Sequence, residues 1–295
     1  MSMSKIAFIG LGNMGGGMAA NQTRAGRKVY AFDLSDKALK RAEKDGCIPM
    51  QSAAEAVKEA DIVITMLPAG KHVRAVYETD ILPNAKPGTL LIDCSTIDVE
   101  SARAVAALAK DAGFHAADAP VSGGTAAADN GSLAFMVGCE EAHFDEVDEA
   151  LGPMSKAVLR AGDSGAGQAA KICNNMLLGI HMIGTCEAFA LADKLGLDAA
   201  KFHKIAEASS GQNWSLSSYT PVKGVGPETP ADRGYEGGFA TDMMLKDLRL
   251  AKAAAMQSGS VTPLGGQAEA LYAMLSARGD GGKDFSAIIQ MLSGK

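Results

Sequence analysis

Aromatic residues, clusters of basic residues and long apolar runs are all scarce in this chain of 295 residues. Aromatic side chains make up 5% of it, no cluster of Lys and Arg is longer than two residues, and the formal net charge is −6. A surface that binds nucleic acid or an anionic membrane needs concentrated positive charge, which this sequence does not supply. No apolar run approaches the length of about 20 residues that spans a bilayer. We therefore expect neither nucleic acid nor a membrane as a partner.

The cysteines are few, and their spacing matches no known kind of site. There are five, with no Cys-x-x-Cys arrangement: Cys47, Cys94, Cys139, Cys173 and Cys186. Neither a disulfide framework nor a zinc site is indicated. The pattern favours buried thiols in a reducing compartment, so we expect a cytoplasmic protein with no bound metal.

A glycine-rich turn between two strand patterns is the first strong signal in the chain. Residues 5–9 form a short apolar run, the segment GLGNMG follows it, and a helical pattern rich in Ala and Met begins there. A second strand pattern, 28–33, ends on Asp33. Strand, glycine turn, helix, strand and acid in this order form the dinucleotide-binding fingerprint. The residues of the turn that we predict to bind the cofactor are Gly10, Leu11, Gly12, Asn13, Met14 and Gly15.

Each part of this fingerprint has a physical task. Gly10 permits the tight turn, Gly12 lets the backbone approach the pyrophosphate, and Gly15 lets the helix pack against its strand. The N-terminus of the helix offers N–H groups and a positive dipole to the phosphates. Asp33 should accept hydrogen bonds from the ribose hydroxyls and repel a 2′-phosphate, and positions 34–36 contain no arginine. We therefore predict NAD rather than NADP; the alternative is that Asp33 is only a turn residue.

Strand and helix patterns alternate through the first half of the chain. The strand patterns lie at 5–9, 28–33, 61–67, 89–94 and 114–118, with two closing strands at 133–137 and 157–159. Such alternation predicts a doubly wound, Rossmann-type α/β sheet. After Arg160 the patterns are all helical. We predict an NAD-binding Rossmann domain over 1–163 and an all-α C-terminal domain over 164–295, begun by a long interdomain helix.

Ligands of a doubly wound sheet lie beyond the carboxyl ends of its strands. The residues that follow two of the predicted strands, and that we expect to flank the cofactor, are Leu67, Pro68 and Thr96. The strand at 114–118 is followed by a segment whose N–H groups can converge on an anion, and its key residues are Ser122, Gly123 and Gly124. Ordinary loop and glycine-turn roles remain the alternatives for all of these residues.

An apolar helical pattern over 166–194 carries three polar groups near its start. Lys171, Asn174 and Asn175 share one face, because residues three and four apart are neighbours on a helix. A buried lysine is costly unless it is paired or can give up its proton. Lys171 is therefore either a functional group or a surface residue that extends to solvent.

A stretch rich in Gly, Ser and Pro, 209–241, separates the helical patterns of the second half. A loop this long in a compact domain is usually functional or disordered. Trp214, the single tryptophan, is a candidate to line a substrate pocket, with packing as its alternative. Phe239 and Lys246 are candidates to contact the cofactor, although Lys246 could also form a solvated pair with Asp247.

Five short segments occur in one order along the chain: GLGNMG at 10–15, DCSTI at 93–97, DAPVSGG at 118–124, GAGQAAKICNN at 165–175 and KDL at 246–248. Together they resemble the β-hydroxyacid dehydrogenase family over essentially the whole chain. The resemblance implies NAD-dependent oxidation of the primary hydroxyl of a short 3-hydroxy acid, in a cleft between a Rossmann domain and a helical domain. The substrate implied first is 3-hydroxyisobutyrate, as in valine catabolism, with L-serine as the alternative.

The resemblance also implies roles for individual residues. Lys171 would be the general acid/base and Asn175 would orient the substrate. The substrate carboxylate would be held by Ser122, Gly123 and Gly124. Thr96 and Lys246 would contact the cofactor near its nicotinamide end. The family further implies a homodimer or homotetramer, while a protein that binds NAD(H) without catalysis is the hypothesis from a different class.

Overall fold

The computed structural model describes residues 4–294. The chain forms two compact units, Met1–Lys171 and Ile172–Lys295. This division falls inside the long helix, whereas the domain boundary predicted at 163/164 lies just before it. The difference arises because the first turn of the helix is hydrogen-bonded to a strand end of the first unit. The predicted domain limits stay a prediction.

One sheet organises the first unit. Its strands are β1 (Lys5–Ile9), β2 (Lys28–Phe32), β3 (Ile48–Pro49), β4 (Ile62–Thr65), β5 (Leu90–Asp93), β6 (His115–Asp118), β7 (Val121–Ser122), β8 (Leu133–Gly138) and β9 (Ser155–Gly162). The order is β3-β2-β1-β4-β5-β6-β8-β7, and β9 pairs with β8. Pairs among the first six strands are parallel, whereas β8 runs antiparallel to β6 and β7. The predicted doubly wound fold is confirmed, and its order reverses between β1 and β4, where such sheets bind ligands.

Helices connect these strands and cover both faces of the sheet. They are α1 (Gly15–Arg24), α2 (Asp36–Lys44), α3 (Ala53–Val57), α4 (Gly70–Val76), α5 (Val99–Asp111), α6 (Gly124–Asn130) and α7 (Phe144–Leu151). Along β1, Ile6 and Phe8 belong to one hydrophobic cluster, whereas Ala7 and Ile9 belong to another. Successive side chains of a strand point to opposite faces, so the sheet is buried on both sides.

The short elements β3, β7 and α6 were not predicted from the sequence. Two of them enclose the triplet at 122–124, since β7 ends at Ser122 and α6 begins at Gly124. The helix α6 packs on α1, where the buried Asn21 donates from Nδ2 to the Ala128 carbonyl at 2.7 Å. The segment predicted to hold the substrate carboxylate is therefore attached to the helix of the dinucleotide fingerprint.

The second unit is all helical. Its helices are α8 (Ala166–Lys194), which begins in the first unit, α9 (Ala199–Glu207), α10 (Trp214–Ser217), α11 (Thr241–Ser258), α12 (Pro263–Leu275) and α13 (Ile288–Leu292). The core lies between α8, α11 and α12, where Met182, Met244 and Tyr272 are fully buried. The predicted all-α C-terminal domain is confirmed.

By length and composition, α8 is able to cross a lipid bilayer. The prediction from the sequence concerned uninterrupted apolar runs, whereas His181 and Glu187 interrupt this helix, which is apolar only on average. One such helix is weak evidence for a membrane, because a core helix of a soluble protein has the same properties.

Candidate active site

The glycine turn of the fingerprint has the geometry that a dinucleotide requires. Gly10 has a φ of +94°, a conformation that favours glycine, and a side chain there would collide with the Met66 carbonyl. A side chain at Gly15 would collide with the Gly10 carbonyl. The space beside Gly12 holds no atom within 4 Å of where its Cβ would lie. The turn is thus closed towards the protein and open where a pyrophosphate would approach.

Asp33 closes the same turn from the end of β2. Its Oδ2 accepts a hydrogen bond from the Leu11 N–H at 2.6 Å, and its Oδ1 accepts one from the Ser35 N–H at 2.8 Å. Each carboxylate oxygen has a second lone pair, so the side chain can also accept from ribose hydroxyls. The next side chain, Leu34, is 94% exposed and uncharged. Asp33 is thus a turn residue, and its role as the acid that contacts the cofactor stays a prediction.

A buried polar network joins the loops that follow β4 and β5. Asp93 accepts at Oδ1 from the Thr65 hydroxyl at 2.7 Å and from the Ser95 hydroxyl at 2.5 Å. The Ser95 Oγ accepts in turn from the Leu67 N–H at 2.8 Å. Burial raises the pKa of Asp93 above its ordinary value, although its hydrogen bonds oppose the change. Leu67 and Thr96, both predicted to flank the cofactor, are therefore held by one network.

The start of α8 is attached to the same network through Gln168, which is fully buried. Its Nε2 donates to the Ser95 carbonyl at 2.7 Å, and its Oε1 accepts from the Ile97 N–H at 3.1 Å. Thr96 lies between these two residues. Gln168 was not among the predicted site residues, although a polar side chain between small apolar residues was a signal.

Asp118, at the end of β6, holds the first turn of α8. Its Oδ1 accepts from the Gly165 N–H at 2.6 Å and its Oδ2 accepts from the Gln168 N–H at 2.8 Å. An anion at a helix N-terminus is favoured by the helix dipole. Burial nevertheless raises the pKa of Asp118 to about 6. A side chain at Gly167 would collide with the Met136 carbonyl, which explains the second glycine of this turn.

The triplet at 122–124 forms the sharp passage from β7 to α6. Ser122 pairs with Ala134 of β8 and is half-buried. Gly123 and Gly124 have φ values of +138° and +71°, which favour glycine. A Cβ at Gly123 would approach Ala127 to 2.6 Å, whereas one at Gly124 would meet no atom within 4 Å. The backbone is therefore open to an external group at Gly124.

Lys171 lies one turn beyond Gln168 in α8 and is 7% exposed. The alternative in which it extends to solvent from a surface helix is wrong. Of the two asparagines on the same face, Asn174 is exposed, whereas Asn175 is 1% exposed. A lysine in such a place can act as a general base only in its neutral form.

In the second unit, Asp247 fixes the orientation of Asn175. The Asn175 Nδ2 donates to Asp247 Oδ2 at 2.5 Å, while its Oδ1 accepts from Asn174 at 3.0 Å. Lys246 Nζ lies 3.8 Å from Asp247 Oδ1. Asp247 is 4% exposed. The alternative in which Lys246 and Asp247 form a solvated pair is therefore wrong for Asp247. Sequence reasoning missed its contact with Asn175.

The loop over 209–241 is organised by one buried acid, Asp284. Its Oδ2 accepts from the Tyr219 hydroxyl and from the Phe239 N–H, each at 2.8 Å. Trp214 stacks on Tyr219 with ring centroids 4.9 Å apart and stays 49% exposed. Burial raises the pKa of Asp284 despite these bonds. Asp284 therefore joins the parts of the loop that carry Trp214 and Phe239.

The predicted site residues are divided between the two units. The first unit contains the glycine turn, Asp33, Leu67, Pro68, Thr96, the triplet at 122–124 and Lys171, while the second contains Asn175, Trp214, Phe239 and Lys246. Pro68 is exposed. Within the part of the chain that the structure describes, no group of three or more His, Cys, Asp and Glu residues could hold a metal ion.

Two protein-family models match the chain. Residues 5–162 match a model described as the NAD binding domain of 6-phosphogluconate dehydrogenase. Residues 165–292 match a model described as the NAD-binding domain of NADP-dependent 3-hydroxyisobutyrate dehydrogenase.

Relatives align over nearly the whole chain. A 3-hydroxyisobutyrate dehydrogenase of Pseudomonas aeruginosa is 48% identical over 99% of this chain and 100% of its own. An NAD-dependent L-serine dehydrogenase of the same organism is 46% identical over 97% of each chain. The solved structure of the Mycobacterium tuberculosis 3-hydroxyisobutyrate dehydrogenase with L-serine has a TM-score of 0.95 and 46% identity, covering 98% of this chain and 99% of that one.

Proposed function

This chain belongs to the 3-hydroxyisobutyrate dehydrogenase family and is an NAD-dependent oxidoreductase, and from this premise we propose that it oxidises 3-hydroxyisobutyrate to methylmalonate semialdehyde. The observation that carries the proposal is the buried Lys171, one helical turn before the buried Asn175 in the segment GAGQAAKICNN. In the reaction the alcohol carbon loses a hydride and the hydroxyl group loses a proton.

Lys171 is the group that takes this proton. Bound NAD⁺ supplies the acceptor for the hydride. The glycine turn and Asp33 hold the cofactor, and Leu67, Thr96 and Lys246 flank it. The Lys171 Nζ accepts the hydroxyl proton in oxidation and returns it to the carbonyl oxygen in reduction. It must be neutral to begin oxidation, so oxidation is faster at alkaline pH.

Asn175 orients the hydroxyl group. One N–H of its amide is directed at Asp247, and the carboxylate of that residue determines which end of the amide is the donor. The second N–H can then be donated to the substrate. Asp247 is in this way a positioning residue for Asn175.

The triplet at 122–124 holds the substrate carboxylate, through the Ser122 hydroxyl and the N–H groups at the two glycines. Ser122→Ala should raise the KM for 3-hydroxyisobutyrate about tenfold, because one charge-assisted hydrogen bond of about 1.5 kcal/mol is lost. Initial rates against substrate concentration measure this change. Thr125→Ala, at an exposed position of α6, is the matched control and should leave KM unchanged. Equal turnover of the methyl ester and the free acid would contradict the assignment.

L-Serine is the second candidate substrate, favoured by the similarity to an NAD-dependent L-serine dehydrogenase and to the Mycobacterium tuberculosis 3-hydroxyisobutyrate dehydrogenase solved with L-serine. A panel of both enantiomers of 3-hydroxyisobutyrate, L-serine, 3-hydroxypropionate and glycerate with NAD⁺ separates the candidates by kcat/KM. We expect one enantiomer of 3-hydroxyisobutyrate to rank first. A higher kcat/KM for L-serine would identify L-serine as the preferred substrate instead. NAD binding without turnover of any member would favour the non-catalytic hypothesis.

The chain functions as a homodimer or homotetramer in the cytoplasm. Large apolar side chains lie on the outside of the second unit, among them Leu191, Leu195 and Val261, which are 61%, 75% and 90% exposed. Apolar surface of this kind favours burial against another subunit. The five free cysteines suit a reducing compartment. Light scattering coupled to gel filtration should give two or four chain masses, and a monomer at micromolar concentration would contradict the proposal.

A further inference from the structure

Gln168 is a buried amide whose two ends both bind backbone groups of one loop. Its Nε2 donates to the Ser95 carbonyl at 2.7 Å and its Oε1 accepts from the Ile97 N–H at 3.1 Å. An amide is required for this pairing, because a carbonyl needs a donor and an N–H needs an acceptor. The loop residue between the two contacts is Thr96.

The same loop is connected to the end of β4. The Ser95 hydroxyl donates to Asp93 and accepts from the Leu67 N–H. The side chain of Gln168 therefore binds the loop after β5 directly and is connected to the loop after β4 through Ser95. Both loops lie beyond the carboxyl ends of parallel strands, where a doubly wound sheet binds its ligand.

The backbone of Gln168 is also fixed. Its N–H donates to Asp118 Oδ2 at 2.8 Å, and the Gly165 N–H donates to Asp118 Oδ1. The first turn of α8 is thus held to the ends of both β5 and β6. Lys171 is in the next turn of the same helix, about 4.5 Å further along the axis at 1.5 Å per residue.

We propose that Gln168 is a positioning residue for the reaction: it sets the place of the Lys171 amine relative to the Thr96 loop. The proposal rests on the proposed role of Lys171 as the acid/base group. Proton transfer and hydride transfer require their groups in a near-attack arrangement, and a misplacement of about 1 Å can reduce the rate about 10²-fold. Gln168 touches neither the substrate nor the reacting atoms in this proposal and acts through Lys171 and Thr96.

The first test replaces the amide by an apolar chain of similar length. Gln168→Met should lower kcat about 10- to 100-fold, with the Kd for NAD⁺ unchanged. Amide hydrogen exchange of the 95–97 segment should become faster. The matched control is Gln22→Met, because Gln22 is also a fully buried glutamine of the first unit and donates to the Ala150 carbonyl at 2.9 Å. The control should lower stability and leave kcat unchanged.

The second test makes the two side-chain hydrogen bonds of residue 168 depend on whether that side chain is protonated. In Gln168→Glu, the protonated carboxyl has one donor and one acceptor, as the amide has, whereas the ionised form presents only acceptors and opposes the Ser95 carbonyl. The ratio of its kcat to that of the wild type, measured for semialdehyde reduction, should rise as the pH falls. The ratio for Gln168→Met should stay flat. Dividing by the wild-type rate cancels the titration of the neighbouring groups Asp93, Asp118 and Lys171.

The outcomes are distinct. A kcat within threefold of the wild type for Gln168→Met, or unchanged exchange of the 95–97 segment, would overturn the positioning role. A flat ratio for Gln168→Glu would show that the amide hydrogen bonds are not what matters. If Lys171→Met retains turnover, the proposed function fails instead, and the hydrogen-exchange result still decides whether Gln168 anchors the loop.

Discussion

Replacing Lys171 with methionine should lower kcat by about 10²- to 10⁴-fold, the usual contribution of a positioned proton-transfer group. The Kd for NAD⁺ should change little, because the glycine turn and Asp33 are separate from this side chain. Lys171→Arg should fail as well, since a guanidinium keeps its charge but does not deprotonate in the working range of pH. Steady-state kinetics and a binding titration on both variants measure these effects.

The pH dependence provides a second measure of the same role. For the wild type, kcat/KM for oxidation should fall as the pH is lowered through one ionisation, because the protonated amine cannot accept the hydroxyl proton. Lys194→Met is the matched control, since Lys194 is the exposed last residue of α8, and it should keep full activity. If Lys171→Met or Lys171→Arg keeps more than about a tenth of the wild-type kcat, the mechanism is wrong.

Cofactor preference should depend on Asp33. We expect kcat/KM to favour NAD⁺ over NADP⁺ by about 10²- to 10³-fold, because a carboxylate facing a 2′-phosphate costs several kcal/mol. Asp33→Ala should reduce this preference, since both the repulsion and the ribose hydrogen bonds disappear. It should also raise the KM for NAD⁺, because the Leu11 and Ser35 N–H groups lose the acceptor that closes the turn.

A nearby acid controls for the change in net charge. Asp36 is exposed at the start of α2, and Asp36→Ala should leave the ratio of the two cofactors unchanged. Similar kcat/KM values for NAD⁺ and NADP⁺ in the wild type would contradict the predicted preference for NAD⁺. A preference that survives Asp33→Ala would mean that another group excludes the phosphate.

The dinucleotide half of the fold was predictable because its signals are local. The glycines at 10, 12 and 15, the two flanking strands and Asp33 follow one another within a short stretch, and Gly10 has the positive φ that glycine favours. The sequence predicts a doubly wound sheet but not the order of its strands. The alternation of strands and helices implies parallel pairing without specifying which strands pair. The short elements β3, β7 and α6 are below the length at which periodicity is detectable.

The supporting residues of the site could not be predicted, because their partners are distant in the sequence. Gln168 and Ser95 are 73 positions apart, and Asn175 and Asp247 are 72 apart. The spacing of residues along the sequence does not indicate which distant residues will contact each other. The signal that was present is indirect: a buried polar group must be hydrogen-bonded, so a glutamine or an acid in an apolar segment implies a partner without naming it. Asp284 is the clearest example, since its contacts with Tyr219 and Phe239 organise a loop that the sequence left without structure.

The helix α8 runs without interruption through the point at which the two compact units divide. The number of residues between two positions of this helix therefore matters separately from the identity of those residues. An inserted or deleted residue between Lys171 and Asn175 would rotate all that follows by about 100° and shift it by about 1.5 Å. Asn175 would then leave the face that it shares with Lys171. A chimaera that exchanges the helical unit should therefore keep the site only where the two pieces join in helical phase.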